Sequence, residues 1–156
     1  MVKPVMPGPA LFAYGTLQDS DILGAALGRP VPPGSLRSAT APDHAAVYYP
    51  GRVYPALVAR LGATASGMLI TGLNALDLAV LDAFEGDEYR RSIISVRLGN
   101  ETIRAETYLP TALIPPDASD WTLAVWLRDH KPAVLAGETG QAAGLRARMA
   151  AQAKSD

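Results

Sequence analysis

The chain has 156 residues, no cysteine, and 14 Lys and Arg against 15 Asp and Glu, for a formal net charge of -1. That length suits one domain with a single sizeable core, and the near-neutral charge, with basic residues scattered singly or in pairs, gives no footprint for nucleic acid or an anionic membrane surface. The lack of cysteine removes disulfides, thiolate nucleophiles and the commonest structural zinc sites, and is compatible with the cytoplasm, the expected location.

Residues 1–9 hold one basic residue, Lys3, and apolar residues broken by Pro4, Pro7 and Pro9. They read as a loose leader without the continuous apolar segment of a signal peptide. Ala10 to Tyr14 (ALFAY) is a short apolar and aromatic run that stops at Gly15, as a buried strand entering a tight turn does. Asp19 or Ser20 can cap a following helix whose Ile22, Leu23, Ala26 and Leu27 share a face, and Gly28 and Pro30 end it. Between Pro30 and Pro50 the prolines leave no helical period, so short strands and turns are expected around Ser35 to Ala39 and Ala45 to Tyr49.

Tyr54 to Ala59 and Ser66 to Thr71 predict two more strands joined by a turn at Leu61 to Thr64. The window Ala65 to Leu81 is the most apolar, but Asn74 and Asp77 interrupt it and it is too short without them to cross a membrane. Asn74 instead caps a helix in which Leu76, Val80, Ala83 and Phe84 repeat at helical spacing, with Glu85 last and Gly86 as the left-handed exit. Tyr89 to Leu98 alternates, with Ile94, Val96 and Leu98 on one face, and Gly99-Asn100 turns it back into Thr102 to Tyr108 as a hairpin. Ser119 or Asp120 is expected to begin a helix that carries Trp121, Val125 and Leu127 and ends before Pro132. Strands outnumber helices and sit close enough for antiparallel pairing, which predicts an α+β domain on a curled sheet or small barrel, over residues 10–136. The Ala-, Gln-, Arg- and Lys-rich tail over 137–156 is a marginal helix or disordered.

The chemistry is narrowed by elimination. His44 and His130 each lack a second ligand at metal spacing, so no metal site is assigned. There is no G-x-S-x-G elbow, no phosphate-cradling G-x-x-x-x-G-K and no G-x-G-x-x-G after a strand. Two features remain. Tyr14-Gly15-Thr16-Leu17 is either an ordinary strand-to-helix turn or a nest whose N–H groups hold a carboxylate or a developing oxyanion. The run "LDAFEGDEYRR", Leu81 to Arg91, is either a solvated helix end or the place where Glu85, at the negative end of a helix dipole and partly buried by Phe84 and neighbouring tyrosines, has its pKa pushed up toward that of a proton carrier.

Taken in order, "LFAYGTLQDSDIL", "GRVYPALV", "ASGMLITGL", "LDAFEGDEYRR" and "AETYLP" resemble the γ-glutamylcyclotransferase-like family, which includes γ-glutamylamine cyclotransferases and avirulence-induced plant proteins. The likeness spans Leu11 to Pro110, and the "QDSDILGAALGRP" that follows Y-G-T-L is closer to the plant-like group. The resemblance implies a small, mixed but mostly antiparallel β-barrel flanked by a few helices. It also implies a Y-G-T-L loop that binds a γ-glutamyl group through Gly15, Thr16 and Leu17, with Glu85 as catalytic acid and base. Tyr14, Tyr89 and Tyr108 are then wall or hydrogen-bonding residues. Asp82, Asp87 and Glu88 carry no catalytic role and are expected to be solvated or paired with Arg90 and Arg91.

The implied reaction is attack of a γ-glutamyl α-amine on its own γ-carbonyl, which gives 5-oxoproline and a free amine or amino acid and requires no cofactor. The implied partner is therefore a small γ-glutamyl substrate, with neither nucleic acid nor membrane. The alternative from a different class is a non-catalytic module that binds a γ-glutamyl metabolite or a peptide on the same fold.

Overall fold

The structure is a computed structural model that describes residues 10–133. The expected leader and tail, and the end of the domain at 136, lie outside those residues. The elements in chain order are β1 (Leu11–Ala13), α1 (Ser20–Leu27), β2 (Leu36–Tyr48), β3 (Pro55–Ile70), α2 (Ala75–Glu85), β4 (Tyr89–Leu98), β5 (Glu101–Pro110) and α3 (Leu123–Asp129). This is the expected mixed α+β architecture. Among the described residues no helix is long and apolar enough to cross a membrane.

The sheet runs β1-β3-β2-β4-β5 and curls until β5 comes back beside β1. Most pairing is antiparallel; β5 meets β1 in parallel, at Leu11↔Glu106. Two seams are thin, with one registered pair each, Thr40↔Arg97 between β2 and β4 and Leu11↔Glu106 between β1 and β5. The second is reinforced by Glu106 N donating to Ala10 O at 2.9 Å and by the buried Thr107 hydroxyl donating to Phe12 O at 2.8 Å.

β1 is buried on both faces, which explains why its sequence is continuously apolar rather than alternating. Leu11 and Ala13 join the cluster made with α1, α2 and both tryptophans, whereas Phe12 and Tyr14 join the cluster inside the curled sheet with Leu57, Leu69, Val96 and Ala105. Each fully buried large side chain, such as Phe12 or Leu69, contributes about 1.5–3 kcal/mol of burial. The strand lies against β3 so closely that a Cβ on Gly67 would fall 2.3 Å from Ala13 O and 2.8 Å from the Phe12 ring. Only glycine fits there.

The helix boundaries follow their capping residues. Asp19 caps α1 by accepting from Ile22 N, and Gly28 closes it at φ 74°. Asn74 and Asp77 form a reciprocal capping box on α2, and Gly86 takes the chain out at φ 70°. Asp77, fully buried, also accepts from Arg29 at 2.7 and 3.3 Å, which ties the end of α1 to the start of α2.

Three expectations need correction. The two short strands foreseen between Pro30 and Pro50 are one 13-residue strand, β2, and the two foreseen between Tyr54 and Thr71 are one 16-residue strand, β3. The foreseen turn at Leu61 to Thr64 does not reverse the chain. It is the wide side of a bulge, with Thr64 opposite Pro42 and Ala59 opposite His44, so that Arg60 to Ala63 face Asp43 alone. Pro42, which has no N–H to donate, is tolerated at such a break. Asp43 takes φ 58° there and its carboxylate accepts from Gly62 N at 2.9 Å. Finally, α3 starts at Leu123 with Thr122 as its cap, later than Ser119 or Asp120. Those residues instead extend the edge of β2, where Asp120 bridges Val47, Tyr48 N donates to Ser119 O and Trp121 N to Ala46 O.

Candidate active site

β1 delivers Tyr14 and Gly15 to a single turn of 3-10 helix, Thr16–Gln18, before α1 begins. Gln18 holds this loop from within: its side-chain amide donates to Tyr14 O at 2.8 Å and Gly15 O at 3.1 Å, and its own N–H donates to Gly15 O at 3.2 Å. The carbonyl groups are thus satisfied. The N–H groups of Gly15, Thr16 and Leu17 have no acceptor among the described residues, and all three residues line a cavity of about 310 Å³. That is the size of a small-molecule site. A Cβ on Gly15 would stand 3.0 Å from the Pro55 ring, so glycine lets the loop lie against the opposite wall.

α2 delivers Glu85, its last residue, to the same cavity. Among the described residues its carboxylate has neither a hydrogen-bond donor nor a cation as partner, and no cationic side chain lines the cavity. Its pKa is pushed up to about 8, first by burial and second by the neighbouring Asp82 carboxylate. The sequence suggested an upward shift from the helix dipole and from burial by Phe84 and neighbouring tyrosines; the direction agrees, and of these causes burial comes first.

The neighbouring acids divide differently than expected. Asp82 pairs with Arg91 at 2.9 and 3.2 Å and accepts the Tyr108 hydroxyl at 2.7 Å. Asp87 is exposed, and its backbone carbonyl accepts from Thr111. Glu88 pairs with neither Arg90 nor Arg91. Its carboxylate binds Arg52 at 3.0 Å and the Tyr54 hydroxyl, and it lines the cavity.

Tyr14, Tyr89 and Tyr108 all line the cavity, and their hydroxyl protons are given to protein acceptors: Tyr108 O at 2.5 Å, Pro55 O at 2.5 Å and Asp82, respectively. Burial, with Glu85 nearby, pushes each phenol well above its ordinary value. They stay neutral, serve as walls, and have only lone pairs to offer a ligand. Tyr49, Tyr54 and Tyr89 stack edge-on or tilted, with centroids 5.5–6.2 Å apart.

Every residue singled out from the sequence, Tyr14 to Leu17, Glu85, Tyr89 and Tyr108, therefore meets in one cavity. Sequence reasoning missed Tyr54, Pro55, Glu88 and Trp126. Tyr54 and Pro55 sit in the "GRVYPALV" stretch, which marks the region without marking a role. Trp126 carries no sequence signal beyond helical spacing.

Residues 11–142 match the family described as gamma-glutamyl cyclotransferase, AIG2-like. AIG2-like protein A of Arabidopsis thaliana is 33% identical over 124 residues, which cover 78% of this chain and 73% of that one. AIG2-like protein D of the same plant is 33% identical over 125 residues, 78% of this chain and 80% of its own. Among solved structures, the solution structure of an Arabidopsis thaliana protein, 29% identical, superposes with a TM-score of 0.63 over 82% of this chain and 86% of that one. A structure described as a gamma-glutamyl cyclotransferase, 18% identical, shares the fold with a TM-score of 0.55 over 66% of each chain.

Proposed function

The chain belongs to the gamma-glutamyl cyclotransferase, AIG2-like family, and from that premise we propose that it converts a γ-glutamyl amine or γ-glutamyl amino acid to 5-oxoproline and the free amine, with Glu85 as general acid and base. The observation that carries this reading is the pairing of two unpartnered groups in one cavity: a carboxyl held near pH 8 and the free N–H groups of Gly15, Thr16 and Leu17.

The substrate's α-amine attacks its own γ-carbonyl carbon. A C–N bond closes the five-membered lactam, and the C–N bond to the departing amine breaks. Glu85, as carboxylate, takes a proton from the attacking nitrogen and returns one to the leaving nitrogen, so the residue ends as it began. The α-amine must give up a proton to attack, and the free α-carboxylate beside it favours the protonated ammonium. A carboxyl raised to about 8 lies closer to an amine than an ordinary carboxylate does, which makes it the better base for that proton. An ordinary carboxylate, ionising near pH 4, would be a far weaker base.

Because nucleophile and electrophile belong to one molecule, holding it folded supplies much of the acceleration. The N–H groups of the Gly15 loop hold an oxygen of the γ-glutamyl group, and the tyrosine walls, together with Phe84, surround the carboxyl with aromatic surface. No step calls for a cofactor.

The test is release of 5-oxoproline by purified protein supplied with γ-glutamyl amines, γ-glutamyl amino acids and glutathione. Release from at least one is expected. No release from any of them, with the protein folded, contradicts the reading.

A further inference from the structure

We propose that Arg91 and Asp82 form a positioning pair that sets the pH at which Glu85 gains and loses its proton. Asp82 lies three residues before Glu85 on α2, so the two side chains rise from neighbouring positions on one helix face. Arg91, on β4, grips Asp82 with a fork of two bonds, Nε to Oδ1 at 2.9 Å and Nη2 to Oδ2 at 3.2 Å, and spends its remaining nitrogen, Nη1, on Glu106 Oε2 of β5 at 2.7 Å. Tyr108, also on β5, donates its hydroxyl to Asp82 at 2.7 Å while its ring lines the cavity. Asp82 is thereby fixed from two strands.

The cluster holds one cation and two carboxylates, Arg91 against Asp82 and Glu106, and so is not neutral. The groups that face Glu85 electrostatically are Asp82 on its own helix, Tyr14 after β1, Tyr89 on β4 and Tyr108 on β5. α3 contributes only the uncharged Trp126 to the cavity. Glu88, on the same cavity, is held by Arg52. The three phenols remain neutral, so Asp82 is the formal charge to which Glu85 responds, and Arg91 decides how much of that charge it feels.

The pair can be tested without turnover. In full-length protein labelled with 13C at glutamate carboxyls, the Glu85 resonance is titrated in the parent, Asp82→Asn, Arg91→Met and Arg91→Lys. Asparagine keeps an acceptor for Tyr108 and Arg91 but loses the charge, so the Glu85 midpoint should fall by about 0.5–1 unit. Methionine leaves Asp82 and Glu106 uncompensated, so the midpoint should rise by about as much, and lysine, which restores the charge, should bring it back toward the parent. Asp82 is partly exposed, and both shifts should shrink in high salt.

If Asp82→Asn leaves the midpoint unchanged, or if Asp82→Asn and Arg91→Met move it the same way, the proposal is overturned. Should Arg91→Met fail to fold, Arg91→Gln, which keeps a donor for Asp82 without the charge, takes its place beside Asp82→Asn, with the same rise expected and an unchanged midpoint overturning the proposal. The role argued for Glu85 in the reaction is separable: shifts as expected in a protein that turns over no γ-glutamyl compound would refute that role and leave the pair standing.

Discussion

Asp82 and Glu85 are carboxylates three residues apart on one helix, and only the first is partnered: Asp82 accepts from Arg91 and Tyr108, while Glu85 faces the cavity with no donor among the described residues. The partnered acid is anchored structure. The unpartnered one retains a proton to pH values where ordinary carboxylates have long lost theirs.

That difference has a consequence for stability. Glu85 ionises near 8 when folded and near 4.5 when not. Between those values the unfolded chain releases the proton that the folded chain keeps, so this residue's penalty is absent below about pH 4.5 and grows as pH rises through 8. Glu85→Gln should therefore match the parent in thermal stability at pH 4 and exceed it at pH 8.5. The gain should be about 1–3 kcal/mol once screening by water in the open cavity is allowed for. Thermal unfolding at the two pH values checks this; a variant less stable than the parent at pH 8.5 would refute the raised pKa.

Gly67→Ala should be among the most damaging single changes. The added methyl would meet a backbone oxygen, Ala13 O at 2.3 Å, which cannot turn aside as a side chain would. A loss of about 3 kcal/mol or more is expected, read by urea unfolding, because β1 must move away from β3 and take the Gly15 loop with it.

Gly15→Ala should act on the site rather than on the fold. Its methyl would press on the Pro55 ring at 3.0 Å and displace the N–H groups by a few tenths of an ångström. KM for a verified substrate should rise about tenfold, equivalent to about 1.4 kcal/mol, while stability falls by less than about 1 kcal/mol. An unchanged KM would remove the loop from substrate binding.

Substrate chemistry gives an independent check. Cyclisation uses a free α-amine, so an N-acetylated γ-glutamyl compound should yield no product, while its free-amine parent yields 5-oxoproline. Equal release of the amine from both would indicate ordinary amide hydrolysis.

The sequence exposed the ends of α1 and α2 because each is set by side chains within three residues: Asp19 to Ile22, Asn74 to Asp77, Gly28 and Gly86. It also exposed the β4–β5 hairpin through Gly99-Asn100. It hid the length of β2 and β3, because Pro42 and Gly62 read as breaks although the sheet absorbs them as a bulge held by Asp43. The start of α3 was obscured because Ser119 to Trp121 pair with β2, a tertiary contact that overrides a capping signal. Within the site, Glu85 stood out through its place at a helix end. Glu88 did not, since its partners Arg52 and Tyr54 lie more than thirty residues away.

The central claim is that Glu85 carries the proton, and the most direct measurement compares 5-oxoproline release by the parent, Glu85→Gln and Asp87→Asn on one verified substrate. Asp87 is the matched control because it lies in the same acidic turn, is exposed and does not line the cavity, whereas Glu88 does. Glu85→Gln should lower kcat by about a hundredfold to ten-thousandfold, with binding changed far less, while Asp87→Asn stays within about twofold of the parent. Near-parental turnover by Glu85→Gln would contradict the account.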